Sequence, residues 1–275
     1  MSESITKNLK KKQITLKDYW TRMISILRTE TPDYLDPSRR NLQKNDYSNN
    51  LVLQALLEMQ HSKCCYCERR LTDLGSTERW VEHIKPQTEF VNADGEVDWN
   101  LANGWNNLLY SCATCNRKKG KTPLIVPNTN EHFLVEPSAD NIDPEEHISF
   151  FVDGPLISHI SINGSQIGQR TVNKLFKGRT ELYKAFKKLK AVIDGSFADM
   201  AGAIASNDNG EYQSIITNLE LLTCSKKNHT GFARSYLSRR VDEFNYSELP
   251  RLNNHFGTNF GEVHLNIVSG HTCLT

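Results

Sequence analysis

Two pairs of cysteines constrain the fold of this chain more than any other feature of its sequence. They are Cys64 with Cys67 and Cys112 with Cys115, and each pair has the spacing C-x-x-C. Two residues between thiolates let one short turn present both sulfurs to a single ion, and two such turns complete a closed tetrahedral site. Buried cysteines without a metal would explain one such pair, but two pairs favour a structural zinc ion.

The composition is that of a globular protein with one large domain or two smaller ones. Of the 275 residues, 38% are hydrophobic and 24% are charged, which excludes wholesale disorder and fibrous repetition. No apolar run approaches the ~18 residues that a membrane span requires, so we expect no membrane association. Residues 1–13 are polar and rich in lysine. We therefore expect no secretory signal and a cytoplasmic location, where disulfide frameworks are rare.

The charge of the chain is unevenly distributed although its net value is only +1. A net charge so close to zero gives no global signature of nucleic-acid binding. Residues 170–190, however, contain eight basic side chains and a single acid, Glu181. This stretch either guides nucleic acid or forms a lysine-rich solvated surface, and the sequence alone favours neither.

The segment between the two cysteine pairs predicts a compact ββα unit. Residues 80–84 alternate as in a short strand that ends at Pro86. Residues 112–119 fit a short helix that stops at Gly120. Two strands and a helix would thus be clamped at both ends by zinc.

The order of motifs in this segment resembles a known family. C-x-x-C is followed by Glu-His-Ile-x-Pro, then Trp-x-Asn-Leu, then C-x-x-C-Asn-x-x-Lys-Gly. This order is similar to the four-cysteine zinc form of the HNH (ββα-metal) endonucleases. Residues 134–137 and 143–154 resemble the segment after the core in PtuB-type nucleases, the HNH partners of Septu anti-phage systems and of retron systems with the same gene pair. The resemblance covers roughly residues 60–190.

The resemblance implies roles for individual residues. His83 corresponds to the general base, and Asn107 corresponds to the side chain that braces the loop holding this base. Glu82 and Asn116 correspond to the ligands of a catalytic cation. Many relatives carry Asp in place of Glu82 and His in place of Asn116. Glu82 and Asn116 both offer hard oxygen donors, so we expect a preference for Mg²⁺ or Mn²⁺. Taken singly, His83 would be better explained as a core histidine and the asparagines as turn or cap residues, and only the complete order of motifs favours the catalytic roles.

Basic residues directly after the second cysteine pair are candidates for phosphate contacts. They follow Cys115 in one short stretch and are Arg117, Lys118, Lys119 and Lys121. A solvated helix end that complements the helix dipole is an equal alternative for the two central lysines.

The predicted fold class is α+β, with the zinc-stapled ββα core embedded in a mainly α-helical protein. The predicted domains are an N-terminal helical segment (1–60), the HNH core (61–125) and a mainly helical C-terminal region with a short β-hairpin (126–275). Apolar spacing predicts helices at 16–28, 50–59, 171–193 and 231–244, the third kinked or divided at Gly178. The hairpin is predicted from residues 148–152 and 156–162.

The predicted function is a metal-dependent endonuclease that acts on nucleic acid, with DNA favoured and RNA, including tRNA, open. The resemblance implies a defence effector that works with an ABC/SMC-type ATPase of the PtuA type and, in retron systems, with a reverse transcriptase and its DNA. The sequence contains no Walker A motif, so ATP would be bound by the partner. The alternatives are a non-catalytic, zinc-stabilised nucleic-acid-binding module and a subunit that only binds the ATPase.

Overall fold

The computed structural model describes residues 30–38, 42–43, 45–91, 94–224 and 226–265. The helix predicted at residues 16–28 lies outside them. Two compact units divide these residues. The first, here called the cysteine unit, lies within 30–149 and 159–178, and the second, here called the helical unit, lies within 150–158 and 179–265. The division into three domains by role stays a prediction.

The cysteine unit is built around two antiparallel strands and the helix that follows them. Strand β1 (Arg79–His83) pairs with β2 (Leu108–Cys112), so that Glu82 lies opposite Leu109 and His83 opposite Leu108. Helix α3 (Ala113–Lys119) starts immediately after β2 and ends at Gly120, whose φ of 55° is in the left-handed region that favours glycine. The predicted strand–strand–helix order and its stop at Gly120 are confirmed.

Two shorter helices complete this part of the unit. Helix α1 (Asn50–Met59) leads into the first cysteine pair, and the side chain of Asn49 caps it by accepting a hydrogen bond from Leu51 N. Its predicted bounds, 50–59, are confirmed. Helix α2 (Trp99–Ala102) lies in the connection between β1 and β2 and is capped by Asp98. The long connection therefore contains its own secondary structure.

The hairpin follows the prediction, whereas the helices after it begin before and end after the predicted bounds of 171–193. Strand β3 (Ile148–Asp153) pairs with β4 (Leu156–Ser161). Helix α4 (Gln166–Thr171) continues as a π-helical turn at Val172–Phe176. The helix predicted over 171–193 is divided at Gly178, where φ is 76°, as its sequence suggested.

The helical unit buries aromatic side chains between its helices. Its helices are α5 (Thr180–Ala205), α6 (Asn209–Leu222), α7 (Thr230–Glu243) and α8 (Leu249–Phe256), with a π-helical turn at Phe244–Glu248 before α8. Phe186 of α5 stacks on Phe232 of α7 at a centroid distance of 4.6 Å. The described residues form helices and two small sheets, and about half of these residues are helical.

None of the described helices combines the length and the apolar character that crossing a membrane requires. The cytoplasmic location stays a prediction from the sequence.

A glycine in α4 marks a close approach between two segments of the cysteine unit. A Cβ atom at Gly168 would lie 2.1 Å from the carbonyl oxygen of His147 and 2.9 Å from Oγ of Ser161. Because the nearest of these atoms belongs to the backbone, a side-chain rotation cannot remove the clash. Gly195 offers a contrast, because it is exposed in α5 and no atom would lie within 4 Å of its Cβ.

We predict that Gly168→Ala lowers the free energy of unfolding by about 1–3 kcal/mol, the usual range for an overpacked site. Gly195→Ala should leave it unchanged or raise it by up to about 1 kcal/mol, because alanine has the higher helix propensity. Urea denaturation followed by circular dichroism measures both changes. Equal midpoints for the two variants would contradict the predicted close packing at Gly168.

Candidate catalytic site beside a four-cysteine cluster

The two cysteine pairs meet in one buried cluster. The Sγ atoms of Cys64, Cys67, Cys112 and Cys115 all lie within 4.8 Å of one another, and all four residues are buried. Backbone amides orient the sulfurs: Cys112 N donates to Sγ of Cys64 at 3.3 Å, and Cys115 N lies 3.5 Å from Sγ of Cys112. The first pair is thereby attached to the point where β2 becomes α3.

The chemistry of this donor set fits a tetrahedral zinc ion. Zn–S bonds of about 2.3 Å place sulfurs about 3.8 Å apart in a tetrahedron, and Sγ of Cys67 and Cys112 are separated by 3.8 Å. Burial raises the pKa of Cys64, whereas hydrogen bonds from the neighbouring thiols, first that of Cys115, hold the pKa of Cys112 far below its ordinary value. A divalent cation would offset the desolvation of several thiolates at once, so the four residues suit it.

Asn107 attaches the start of β2 to the residues that follow β1. Its Oδ1 accepts a hydrogen bond from Lys85 N at 2.7 Å, and its Nδ2 donates to Lys85 O at 3.4 Å. Its carbonyl oxygen also accepts from Ile84 N at 3.0 Å. Three hydrogen bonds therefore fix the backbone immediately after His83, which is the position that the predicted bracing role requires.

His83 lies at the end of β1 with one ring nitrogen engaged. Its Nε2 is 2.9 Å from the carbonyl oxygen of Ala102. Because a carbonyl oxygen only accepts, Nε2 carries the proton and donates, and Nδ1 is the basic nitrogen. Burial lowers the pKa of His83 from its ordinary value and so favours the neutral ring. The rings of Tyr47 and Phe90 pack edge-on against it at centroid distances of 4.7 and 5.7 Å.

Glu82 is a buried carboxylate with two partners from α3. Only 2% of the residue is exposed. Lys119 Nζ lies 2.7 Å from its Oε1, and Asn116 Nδ2 donates to its Oε2 at 2.9 Å. Burial raises the pKa of Glu82 to about 7, while the charge of Lys119 acts in the opposite direction.

Glu82, His83 and Asn116 line the same open cleft. Its volume is about 480 Å³. The other residues of its lining are Tyr47, Val81, Pro86, Gln87, Thr88, Val91, Lys119, Gly120 and Lys121. Asn107 is not among these lining residues, and its bracing role stays a prediction.

The four predicted phosphate contacts fall into different environments. Arg117 and Lys121 are exposed, and Lys118 Nζ donates to the carbonyl oxygen of Lys177 at 3.0 Å. Lys119 is only 5% exposed, and its ammonium also donates to the carbonyl oxygen of His83 at 2.6 Å. Its side chain therefore joins α3 to two consecutive residues of β1, and contact with a phosphate would require this ion pair to open.

Sequence reasoning missed two residues that shape the cleft, Tyr47 and Asn103. Asn103 is fully buried in the connection between α2 and β2. Its Oδ1 accepts from Tyr47 N at 2.8 Å, and its Nδ2 donates to carbonyl oxygens of Gln43 and Trp99 at 2.9 and 2.8 Å. These bonds bring the tyrosine against His83. In the sequence, Asn103 is one of several asparagines near Trp105, and no pattern connects it with the segment around residue 47.

No family model matches this chain, and no solved structure matches it. The chain is 32% identical over 136 residues to a Septu protein PtuB of Bacillus thuringiensis, a stretch that covers 47% of each protein. It is 29% identical over 167 residues to a Septu protein PtuB of Bacillus mycoides (strain KBAB4), covering 54% of each. The chain thus spans about half the length of the curated relatives it matches, and over that half it is similar to PtuB proteins of Septu.

We predict that the purified protein carries about one tightly bound zinc ion per chain. Cys112→Ser should lose this ion and lower the unfolding temperature, because the remaining sulfurs would no longer close the site. Cys65→Ser is the matched control, since Cys65 is a buried neighbour that does not belong to the cluster. Elemental analysis and thermal unfolding measure both effects. A folded wild-type protein without metal, or equal losses in the two variants, would contradict the assignment.

Proposed function

We propose that this chain is a metal-dependent HNH endonuclease that hydrolyses phosphodiester bonds of nucleic acid. The observation that carries the proposal is the shared cleft, whose lining includes His83, Glu82 and Asn116. Phosphodiester hydrolysis requires an activated water, neutralisation of charge at phosphorus and stabilisation of the leaving oxygen. The cleft offers groups suited to each requirement.

His83 is the proposed general base. Its Nε2 donates to Ala102 O, so Nδ1 is the nitrogen that can accept the proton of the attacking water. The tautomer is set by a backbone carbonyl, which holds the ring orientation and does not itself titrate. The proposed role of Asn107 is that of a positioning residue, because it fixes the backbone at Lys85 without contacting the cleft.

Glu82 and Asn116 are the residues that would hold a catalytic Mg²⁺ or Mn²⁺. Carboxylate and amide oxygens are the donors that these hard ions prefer. The hydrogen bond from Asn116 Nδ2 to Glu82 leaves the amide oxygen as the second donor. Such an ion supplies Lewis-acid stabilisation of the charge on the phosphate and on the leaving oxygen. The four cysteines would hold zinc, whose role is structural.

Arg117 and Lys121 are the proposed contacts to the phosphate backbone of the substrate. Both are exposed, and Lys121 also lines the cleft. Lys119 instead has a proposed positioning role, because its ammonium contacts both the carboxylate of Glu82 and the carbonyl oxygen of His83. Arginine and lysine attract the backbone of any sequence, so the substrate is either DNA, which the resemblance favours, or RNA.

The proposed biological role is that of a nuclease effector in anti-phage defence. The two relatives named Septu protein PtuB support it over the half of the chain that they match. The proposed partner is a PtuA-like ABC/SMC-type ATPase. If the chain belongs to a retron system, the proposed partners also include a reverse transcriptase and its DNA product.

One observation favours a second candidate, a zinc-stabilised module that binds nucleic acid or the ATPase without cleaving. Both oxygens of Glu82 already have partners within α3, Lys119 and Asn116. A carboxylate satisfied in this way is also what a purely structural core would contain. The two candidates differ in whether the imidazole of His83 is required.

We predict that His83→Ala lowers the rate of cleavage by about 10²–10⁴-fold, the usual contribution of a general base. The assay measures nicking of plasmid DNA and degradation of total RNA with Mg²⁺ or Mn²⁺, with and without a PtuA-like ATPase. Zinc content and circular dichroism should match the wild type. Equal cleavage by both proteins, or none under any of these conditions, would favour the non-catalytic module.

We predict further that Asn107→Ala lowers cleavage by about 10²-fold, because release of the backbone at Lys85 shifts the base by a fraction of an ångström or more. Asn106→Ala is the matched control, since Asn106 is the exposed neighbour in the same turn. The turnover rate should fall while the apparent affinity for substrate changes little. Equal rates in the two variants would remove Asn107 from the proposed machinery.

A further inference from the structure

An exposed tryptophan lies beside the proposed site. Trp80 of β1 is 40% exposed, whereas Trp105, also in the cysteine unit, is 3% exposed. Side chains alternate along a strand, so Trp80 and Glu82 lie on the same face of β1, about 7 Å apart along the strand. Helix α3 covers this face, because Asn116 contacts Glu82 and Arg117 contacts Trp80.

The indole ring is held by two neighbours. Its Nε1 donates to the carbonyl oxygen of Thr77 at 3.0 Å. The guanidinium carbon of Arg117 lies 5.6 Å from the ring centroid, within the range of a cation–π interaction. The ring is therefore preorganised although a large part of it faces solvent, so a ligand that stacks on it loses little conformational entropy.

We infer that Trp80 and Arg117 form a stacking platform for an unpaired nucleobase next to the phosphate that is cut. The inference rests on the proposed nuclease function and names its substrate class, single-stranded or unpaired nucleic acid. Aromatic rings and guanidinium planes stack on base faces, and in a duplex these faces are already covered by neighbouring bases. The platform is thus accessible to an unstacked base.

The charges around the platform favour nucleic acid over a protein partner. Arg117 contacts the indole ring, Lys121 lines the cleft, and both are exposed, whereas the carboxylate of Glu82 is buried and paired with Lys119. The acid just before the strand, Glu78, accepts a hydrogen bond from Gly75 N at 3.2 Å. A polyanion can therefore approach the tryptophan and the cleft together.

The test uses the full chain with His83→Ala, which prevents cleavage during binding. Fluorescence anisotropy measures the affinity for labelled single-stranded DNA, single-stranded RNA of the same sequence and the corresponding DNA duplex. Trp80→Ala should weaken single-strand binding at least about tenfold, within the usual range for loss of one stacked base. Duplex binding should change less than twofold. Trp80→Phe should restore most of the affinity, and Tyr246→Ala controls for loss of an exposed aromatic side chain elsewhere.

The arms of this test separate the possible outcomes. A loss confined to DNA or to RNA identifies the polymer that the platform takes and supports the inference. Equal losses for single strands and duplex, or no loss with either single strand, overturn it. Loss of co-purification with the ATPase while oligonucleotide binding is unchanged also overturns it and assigns Trp80 to a protein interface. If the chain with His83 intact cuts no nucleic acid under any of the assay conditions, and Trp80→Ala still weakens single-strand binding, the nuclease proposal is refuted and the stacking platform remains.

Discussion

The attachment of two distant chain segments through four sulfurs is the interaction on which the rest of the cysteine unit depends. The first pair precedes β1, and the second spans the junction of β2 and α3, so the cluster closes the sheet and starts the helix at one point. A sheet of two five-residue strands is marginal by itself, because it has too little apolar surface to offset its conformational entropy. A metal bound by the sulfurs would supply the missing free energy as folding energy.

The buried ion pair between Lys119 and Glu82 has a different effect from the cluster. Removing a carboxylate and an ammonium from water costs several kcal/mol per ion, so such a pair contributes little net stability. Its value is geometric: one ammonium contacts Glu82 and the carbonyl of His83, and thereby fixes the orientation of α3 over the end of β1. Asn116, one turn earlier on the same helix, is brought to Glu82 by this arrangement.

The sequence was most informative where a residue type has one characteristic structural role, such as cysteine in metal binding or glycine at a positive φ. The cysteine spacing predicted the cluster, Gly120 predicted the end of α3, and Gly178 predicted the division of a long helical pattern. Prediction was weakest where a side chain acts at long range. The pairing of Asn103 with the segment around Tyr47 joins residues 56 positions apart, and no local pattern encodes it. The sequence could not distinguish Lys119 from its basic neighbours, because Lys119 differs from them in burial and not in residue type.

The same contrast explains why α6 and α8 escaped prediction although the other described helices of the helical unit were anticipated. Helix α6 buries only Tyr212 and Leu219 and exposes much of its surface, so its apolar residues form too sparse a stripe for a periodic pattern. Helix α8 begins with Leu249 and Pro250 directly after a π-helical turn, where the proline would be taken for a break in the sequence.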